Sequence, residues 1–302
     1  MPALPVVAIF GPTGVGKTAV AIALAERLRA AGEDPLAISA DALQLYRGLE
    51  VLTGAADAAE RAALEHRLQG IAAVTETFSA GRYARLAHAE VDAAIAAGRR
   101  PLVVGGTGLY LRAALADLDL RPPPDPAVRD RWTAALAARG PADLHAELAR
   151  RAPAAAAQVP ATDPHRLVRA LELLDAGEAP PQRPGGSQLW TAETRHPTLL
   201  AALVMDREAL YARIDARVEA MVAAGAVDEV RRADAAGASQ TARAALGFAQ
   251  LLEGDVAGMK AATRRYAKRQ LTWLRKLPGV LRIDVTGRAP EDVAAQVHAA
   301  LE

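Results

Sequence analysis

Eight residues, Gly11-Pro12-Thr13-Gly14-Val15-Gly16-Lys17-Thr18, satisfy the spacing G-x-x-x-x-G-K-[ST] of a loop that wraps phosphate. Glycines let the backbone curl so that successive N–H groups face an anion. Lys17 adds a positive charge, and the Thr18 hydroxyl can hold a magnesium ion against phosphate oxygens. The pattern specifies phosphate, not the compound that carries it. Asp41 stands after the apolar run 35–39, where a carboxylate can serve as magnesium ligand, general base or N-cap of a helix over 42–47. Asp206, after Leu203-Val204-Met205, has the position of a metal ligand and the residue type of a helix cap. Arg213 and Arg217, four apart on one helix face, can clamp an anion with two guanidinium forks; pairing with Asp215 or Glu219 is the alternative. Residues 263–276 carry six basic side chains and no acid, with Tyr266 and Trp273 interleaved. Positive charge with stacking rings suits unpaired RNA bases. His165, Arg166 and Arg169 add a smaller basic group.

These residues need a scaffold that brings them to one edge. Residues 6–10 are a continuous apolar, β-branched run and 19–29 an alanine- and leucine-rich helical segment, so the phosphate loop lies between strand and helix. Further strands are expected at 35–39, 101–104, 198–205 and 280–285. Helices are expected at 57–69, 82–97, 207–224, 226–236, 242–252, 255–277 and from 290. A second glycine-rich turn, 105–110, follows the strand at 101–104. The alternation predicts an α/β fold with a parallel sheet and helices on both faces. Residues 127–176 contain helical segments and no strand. Proline-rich breaks at 121–126 and 179–186 bound an all-helical insertion, taken as 121–196, between core segments 1–120 and 197–302.

Composition narrows the function classes. Lys+Arg 36 against Asp+Glu 35 gives a net charge of +1, so contact with nucleic acid must come from a local patch. The absence of cysteine excludes disulfides and thiolate metal sites, and the six histidines show no ligand spacing. No stretch approaches the roughly 18 apolar residues of a membrane helix, and the N-terminus lacks a leader pattern. The expectation is a cytoplasmic protein.

The segments GPTGVGKT at 11–18, SADALQLY at 39–46, GGTGLY at 105–110, DPHRLVRALEL at 163–173 and TRRYAKRQLTWLRK at 263–276 together resemble the tRNA dimethylallyltransferases. The SAD segment and the last helix are the diagnostic ones. The resemblance spans nearly the whole chain. It implies a P-loop kinase-like core, a helical insertion gripping the anticodon stem, and transfer of a dimethylallyl group from dimethylallyl diphosphate. The acceptor it implies is the N6 amine of the adenosine 3′-adjacent to the anticodon, with Mg2+ as cofactor and a monomer as the working form. By matching positions it assigns Asp41 as general base, with Thr13 and Arg217 also catalytic. The diphosphate falls to Gly11 through Thr18 and an arginine of the 213/217 pair, with Thr18 as metal ligand. Contacts to tRNA fall to Asp41, Ala42, Leu43, Gln44, Thr107, Arg129, His165, Arg166, Leu167, Val168, Arg169, Arg243, Gly247, Phe248, Lys268 and Arg269. The chain departs from the family at Ala56, where lysine is usual, at Phe248, where tyrosine is common, and at His165, where glutamine is frequent. The competing readings are an ATP-dependent small-molecule or nucleoside kinase, a nucleotide-gated RNA-binding protein, and prenyl transfer to free adenine nucleotides.

Overall fold

A computed structural model describes residues 5–121, 125–178 and 188–302. The break at 179–186 and Pro122-Pro123-Pro124 of the first break lie outside the described residues. The chain separates into two compact units, Met1–Leu120 with Leu189–Glu302, and Arg121–Gln188.

In the first unit β1 (Val6–Phe10) leads through the glycine loop into α1 (Lys17–Ala30), and β2 (Pro35–Ser39), β3 (Tyr46–Arg47), α2 (Glu50–Thr53), α3 (Ala58–Ala63), β4 (His66–Arg67) and β5 (Ala72–Ala73) follow. Then come α4 (Ala80–Ala96), β6 (Arg100–Gly105) and α5 (Gly108–Leu115). The second unit holds α6 (Pro126–Arg151, kinked at Gly140), α7 (Pro153–Ala156) and α8 (Pro164–Asp175) around Trp132, Leu144, Leu148, Leu167 and Leu171. A 3-10 turn at Gln188–Trp190 begins on the last residue of the second unit, and the first unit resumes at Leu189 and enters β7 (Thr198–Val204). It continues with α9 (Arg207–Ala223), α10 (Ala226–Ala235), α11 (Gln240–Arg243), α12 (Phe248–Leu252), α13 (Val256–Leu274), β8 (Leu281–Asp284) and α14 (Pro290–Ala299). Residues 189–196, read from sequence as part of the insertion, belong to the first unit; Arg195 there pairs with Asp92 and Asp117.

Six strands form one parallel sheet in the order β4-β2-β6-β1-β7-β8. Both faces are covered, which explains the unbroken apolar runs: Val6, Ala8 and Phe10 of β1 enter one core, and Val7 and Ile9 enter the other. β1 is followed in sequence by β2 on one side and, much later, joined by β7 on the other. The order therefore reverses next to β1, the place where open α/β sheets bind ligands beyond the strands' carboxyl ends. Phe10 is level with Gly105 and Ala202, and Ser39 with Val104, so the segments leaving β1, β2, β6 and β7 share one rim.

Three expected helices differ. The segment 57–69 stops at Ala63: Leu64 is fully buried, and Ala37 donates to Glu65 O as the chain turns into edge strand β4. Sheet pairing there outweighs the helix propensity of an alanine-rich run. The segment 242–252 splits into α11 and α12 at Gly247, whose φ of 93° is left-handed. Residues 42–47 form no helix. Tyr46 is buried in β3, which pairs with β5, and its hydroxyl lies 2.6 Å from Thr241 Oγ1.

Candidate active site

The rim of the sheet opens into a cavity of about 490 Å³ lined by Thr13, Gly14, Gly16, Lys17 and Thr18 of the glycine loop, together with Asp41, Leu43, Gln44, Arg213 and Arg217. Three separated stretches of sequence thus meet in one place.

Lys17 is the first residue of α1, so its ammonium sits at the positive end of that helix and close to the loop. Its Nζ donates to Gly11 O and Pro12 O, both at 3.0 Å. Burial pulls its pKa down to about 8, with Asp41 opposing and Arg217 reinforcing the shift. Gly11 and Pro12 therefore turn carbonyls toward Lys17, and proline has no N–H to offer an anion. Val15 donates its own N–H to Pro12 O at 3.3 Å and buries its side chain. These three shape the loop, while Thr13, Gly14, Gly16, Lys17 and Thr18 face the cavity.

Asp41 follows β2, and its Oδ1 accepts from Leu43 N at 3.0 Å in a tight turn. The capping alternative falls with the missing helix. Burial raises the carboxyl's pKa, opposed by the Leu43 N–H, by Lys17 and by Arg217. The result is a carboxylate of increased basicity between two cations. Gln44 is held inside the same wall: Ser39 Oγ lies 2.9 Å from its Oε1, and its Nε2 donates to Gly54 O at 3.0 Å. Ala42 N donates weakly to Thr107 Oγ1 at 3.4 Å, which stands 3.3 Å from the Tyr266 hydroxyl.

α9 supplies the arginines. Arg213 lies against Gly16, and Arg217 Nη2 reaches Gly54 O at 3.5 Å. Pairing with Asp215 or Glu219 does not occur: Asp215 is taken by Arg264 at 2.9 and 3.0 Å and Glu219 by Lys260, both from α13. Among the described residues neither Arg213 nor Arg217 has a carboxylate within ion-pair distance, and Arg217 Nε is buried without a hydrogen-bond partner. Burial lowers the Arg217 pKa, opposed first by Asp41, yet a guanidinium stays charged. Asp206 accepts from Glu208 N and Ala209 N and is the cap of α9.

Several side chains assigned to tRNA are turned inward. Leu167 and Val168 are buried in the core of the helical unit and Phe248 in that of the first, so none presents its side chain to an outside partner. Gly247 is buried as well. α8 buries six of its twelve residues, Leu167 and Val168 among them, which a contiguous assignment over 165–169 ignores. His165 and Arg166 are exposed, and Arg169 is half-buried. Arg129 is bound to Glu172 at 2.6 and 2.9 Å, and Arg243 to Asp234 and Ala238 O. Lys268 and Arg269 are exposed on α13. The two rings of α13 are occupied by the protein itself: Trp273 packs on Trp190 with centroids 4.6 Å apart, and Tyr266 lines the cavity, its pKa pushed up to about 12 by burial and then by Asp41. Gln270 was missed from sequence. It lines the cavity from the middle of the basic helix, and its only signal was a neutral polar residue one turn after Tyr266.

Among the described residues no group of three His, Cys, Asp or Glu could hold a metal ion. No described helix is long and apolar enough to cross a membrane.

The sequence model described as IPP transferase matches residues 44–277. The match begins beyond the phosphate loop and Asp41, so those stand as separate observations. A tRNA dimethylallyltransferase of Kineococcus radiotolerans is 44% identical over 309 residues, covering 98% of this chain and 96% of the relative. The full-length tRNA isopentenylpyrophosphate transferase of Bacillus halodurans superimposes with a TM-score of 0.70 at 31% identity, covering 99% of this chain and 95% of that one. A eukaryotic dimethylallyltransferase acting on tRNA shares the fold, with a TM-score of 0.76 at 24% identity over 98% of this chain and 77% of its own.

Proposed function

The chain belongs to the IPP transferase family and is an enzyme of dimethylallyl transfer to tRNA; from that premise we propose its donor, its acceptor atom and the role of each residue. The donor is dimethylallyl diphosphate, and the acceptor is the exocyclic N6 amine of the adenosine 3′-adjacent to the anticodon. The single observation that carries this reading is the placement of Asp41 in one cavity with Lys17, Arg213 and Arg217. A base and three cations suit a reaction in which one partner loses a proton and the other leaves as an anion.

In the reaction the N6–C1 bond forms, the C1–O bond to diphosphate breaks, and the N6 proton passes to Asp41. Lys17, Arg213, Arg217 and the N–H groups of the loop and the start of α1 stabilise the departing diphosphate, the largest charge that develops. Thr13, which lines the cavity at the start of the loop, is the further group proposed to contact the departing diphosphate. Burial raises the pKa of Asp41, which strengthens it as a base, while the charges of Lys17 and Arg217 oppose that shift by favouring the ionised form. Val51, Leu52, Met221 and Met259 wall the cavity with apolar surface, which shelters the prenyl group and holds water away from its reactive carbon.

Thr18 is the protein ligand proposed for Mg2+. Thr18 lines the cavity and its hydroxyl makes no hydrogen bond among the described residues, and a hard oxygen donor fits a cation that draws most ligands from water and substrate phosphates. When bound, the ion supplies charge neutralisation of the leaving diphosphate. Exposed Lys268 and Arg269 on α13, His165 and Arg166 on α8, and Arg243 are the proposed tRNA contacts, with Leu43, Gln44 and Thr107 nearest the flipped base. The enzyme is proposed to act as a cytoplasmic monomer, the helical unit gripping the anticodon stem.

The test is mass spectrometry of unmodified tRNA after incubation with the protein, magnesium and dimethylallyl diphosphate. The expected result is one added dimethylallyl group on that adenosine. No gain across several such tRNAs, with ATP consumed instead, would return the chain to a kinase-like activity.

A further inference from the structure

Gln270 is a buried amide in which both functions are used. Its Oε1 accepts from Thr13 N of the phosphate loop, and its Nε2 donates to Gly106 O of the turn after β6, each at 2.8 Å. A Cβ on Gly106 would stand 2.3 Å from that Nε2, so the contact requires glycine there. The two partners leave β1 and β6, adjacent strands in which Phe10 and Gly105 are level, and Gln270 clasps them from α13. One turn earlier Tyr266 reaches Thr107, whose Oγ1 accepts from Ala42 N beside Asp41. The inner face of α13 thus touches the loop that cradles phosphate directly and is linked to the loop that carries the base through Thr107. Its outer face is cationic and exposed at Arg265, Lys268 and Arg269, and the Arg269 guanidinium lies 5.4 Å from the Tyr266 ring centroid.

We propose that Gln270 is a positioning residue that fixes the phosphate loop relative to the β6 turn, and that it couples tRNA docking on the outer face of α13 to diphosphate binding on the inner face. The inference rests on the diphosphate and tRNA roles proposed above. Physically, the clasp sets where Thr13 begins the loop, and with it the direction of the N–H groups that follow. A tRNA that settles α13 settles that geometry too, so less ordering remains for diphosphate to impose, and by reciprocity diphosphate tightens tRNA equally. A buried glutamine that only satisfied two backbone groups would alter melting temperature and leave the coupling untouched.

The experiment is calorimetric titration of magnesium pyrophosphate into the full-length protein, alone and saturated with unmodified tRNA. Wild type, Gln270→Met, Gly106→Ala and Lys17→Ala are compared, with melting temperatures in parallel. Gln270→Met removes the clasp, whereas Gly106→Ala keeps the glutamine and displaces its amide, so it decides the matter if Gln270→Met does not fold. In wild type tRNA is expected to tighten pyrophosphate roughly fivefold or more. Gln270→Met and Gly106→Ala are both expected to weaken pyrophosphate by about tenfold, the loss of a hydrogen bond at the loop, and to abolish the tightening. Their affinity for tRNA alone should stay within about twofold of wild type, because the outer-face cations are untouched. Wild-type affinity and tightening in the folded variants, with binding lost in Lys17→Ala, would overturn the clasp and leave the diphosphate site standing. Undiminished binding in Lys17→Ala would overturn the site and the clasp together.

Discussion

The arginines of the two units live under opposite arrangements. In the helical unit buried Glu172 accepts from Arg129 at 2.6 and 2.9 Å and from Arg169 at 3.4 Å. One turn on, Asp175 accepts from Arg131, from Arg151 at 2.7 Å and from Trp132 Nε1 at 2.6 Å. Two guanidiniums share each carboxylate, so the charges hold α6 and α8 together and still leave a positive surplus. On α9 of the first unit the nearby acids are committed elsewhere, to Arg264 and Lys260, and among the described residues Arg213 and Arg217 meet no carboxylate. A paired guanidinium has already used its electrostatic energy in the fold. An unpaired one beside a cavity keeps it for an arriving anion, at the cost of a less stable apo protein.

The contrast breaks most sharply at Asp41, which lines the same cavity and feels the charges of Lys17 and Arg217 without an ion pair to either among the described residues. Asp41→Ala is expected to lower the rate of transfer by about 10³-fold or more, the scale of losing a positioned general base together with its orientation. tRNA affinity should change little. Loss of tRNA binding instead, measured by filter retention, would make Asp41 a structural residue of the turn to Leu43. Next in size comes a direct exchange of the two kinds of arginine. Arg217→Ala should weaken pyrophosphate by roughly 10- to 100-fold, as expected for a charge-assisted contact, with melting temperature unchanged or raised. Arg129→Ala should leave pyrophosphate affinity alone and lower stability by about 1–3 kcal/mol, because Glu172 is buried and keeps only its longer bond to Arg169. Equal effects of both substitutions on either readout would erase the distinction between the units.

The sequence carried the sheet, the phosphate loop and the position of Asp41 because these rest on local rules. A glycine loop between strand and helix, and Asp41 after a buried run, need no distant partner to be read. Arg213 and Arg217 were legible as a pair but not as free cations, since the fate of Asp215 and Glu219 is decided by α13, far along the chain. The same limit hid Gln270, whose two partners lie 257 and 164 residues away. It also misplaced Trp273, read as a stacking platform and found against Trp190. A motif also names neighbours in sequence without saying which way each faces: Leu167 and Val168 are in the core and Arg166 is outside.

Titration separates the two regions further. In the free enzyme kcat/KM requires Lys17 protonated and Asp41 ionised. Burial brings Lys17 down to about 8, so above that pH the parameter should fall tenfold per unit. Burial also raises Asp41, so the acid limb should lie above the ordinary carboxylate range, giving a narrow bell. Lys17→Arg should remove the basic limb and spare the acid one. In the helical unit Asp175 behaves in reverse. Although burial alone would raise it, hydrogen bonds from Arg151, Trp132 and Arg131 hold its pKa below the usual value. Its contribution to stability is therefore present above the ordinary aspartate range and is lost as pH falls through the lowered one. Acid unfolding of Asp175→Asn, followed by circular dichroism, should show a shallower loss over that window than wild type.

The smallest expected effect concerns salt. Each phosphate neutralised on tRNA binding releases counterions, so the slope of log affinity against log salt counts contacts. Lys268 and Arg269 are exposed on α13 with no carboxylate partner among the described residues, and each alanine substitution there should reduce the slope by about one unit, with a few-fold loss of affinity at moderate salt. Arg150 is exposed too, but it is tied to Glu147 at 2.7 Å, so removing it removes a pair rather than a net positive charge free to meet phosphate. Arg150→Ala should leave the slope almost unchanged. A full unit lost at Arg150, or none at Lys268, would mean that pairing in the free protein does not decide which cations meet the phosphates, and the line drawn between the two kinds of arginine would then have to be redrawn from the bound state.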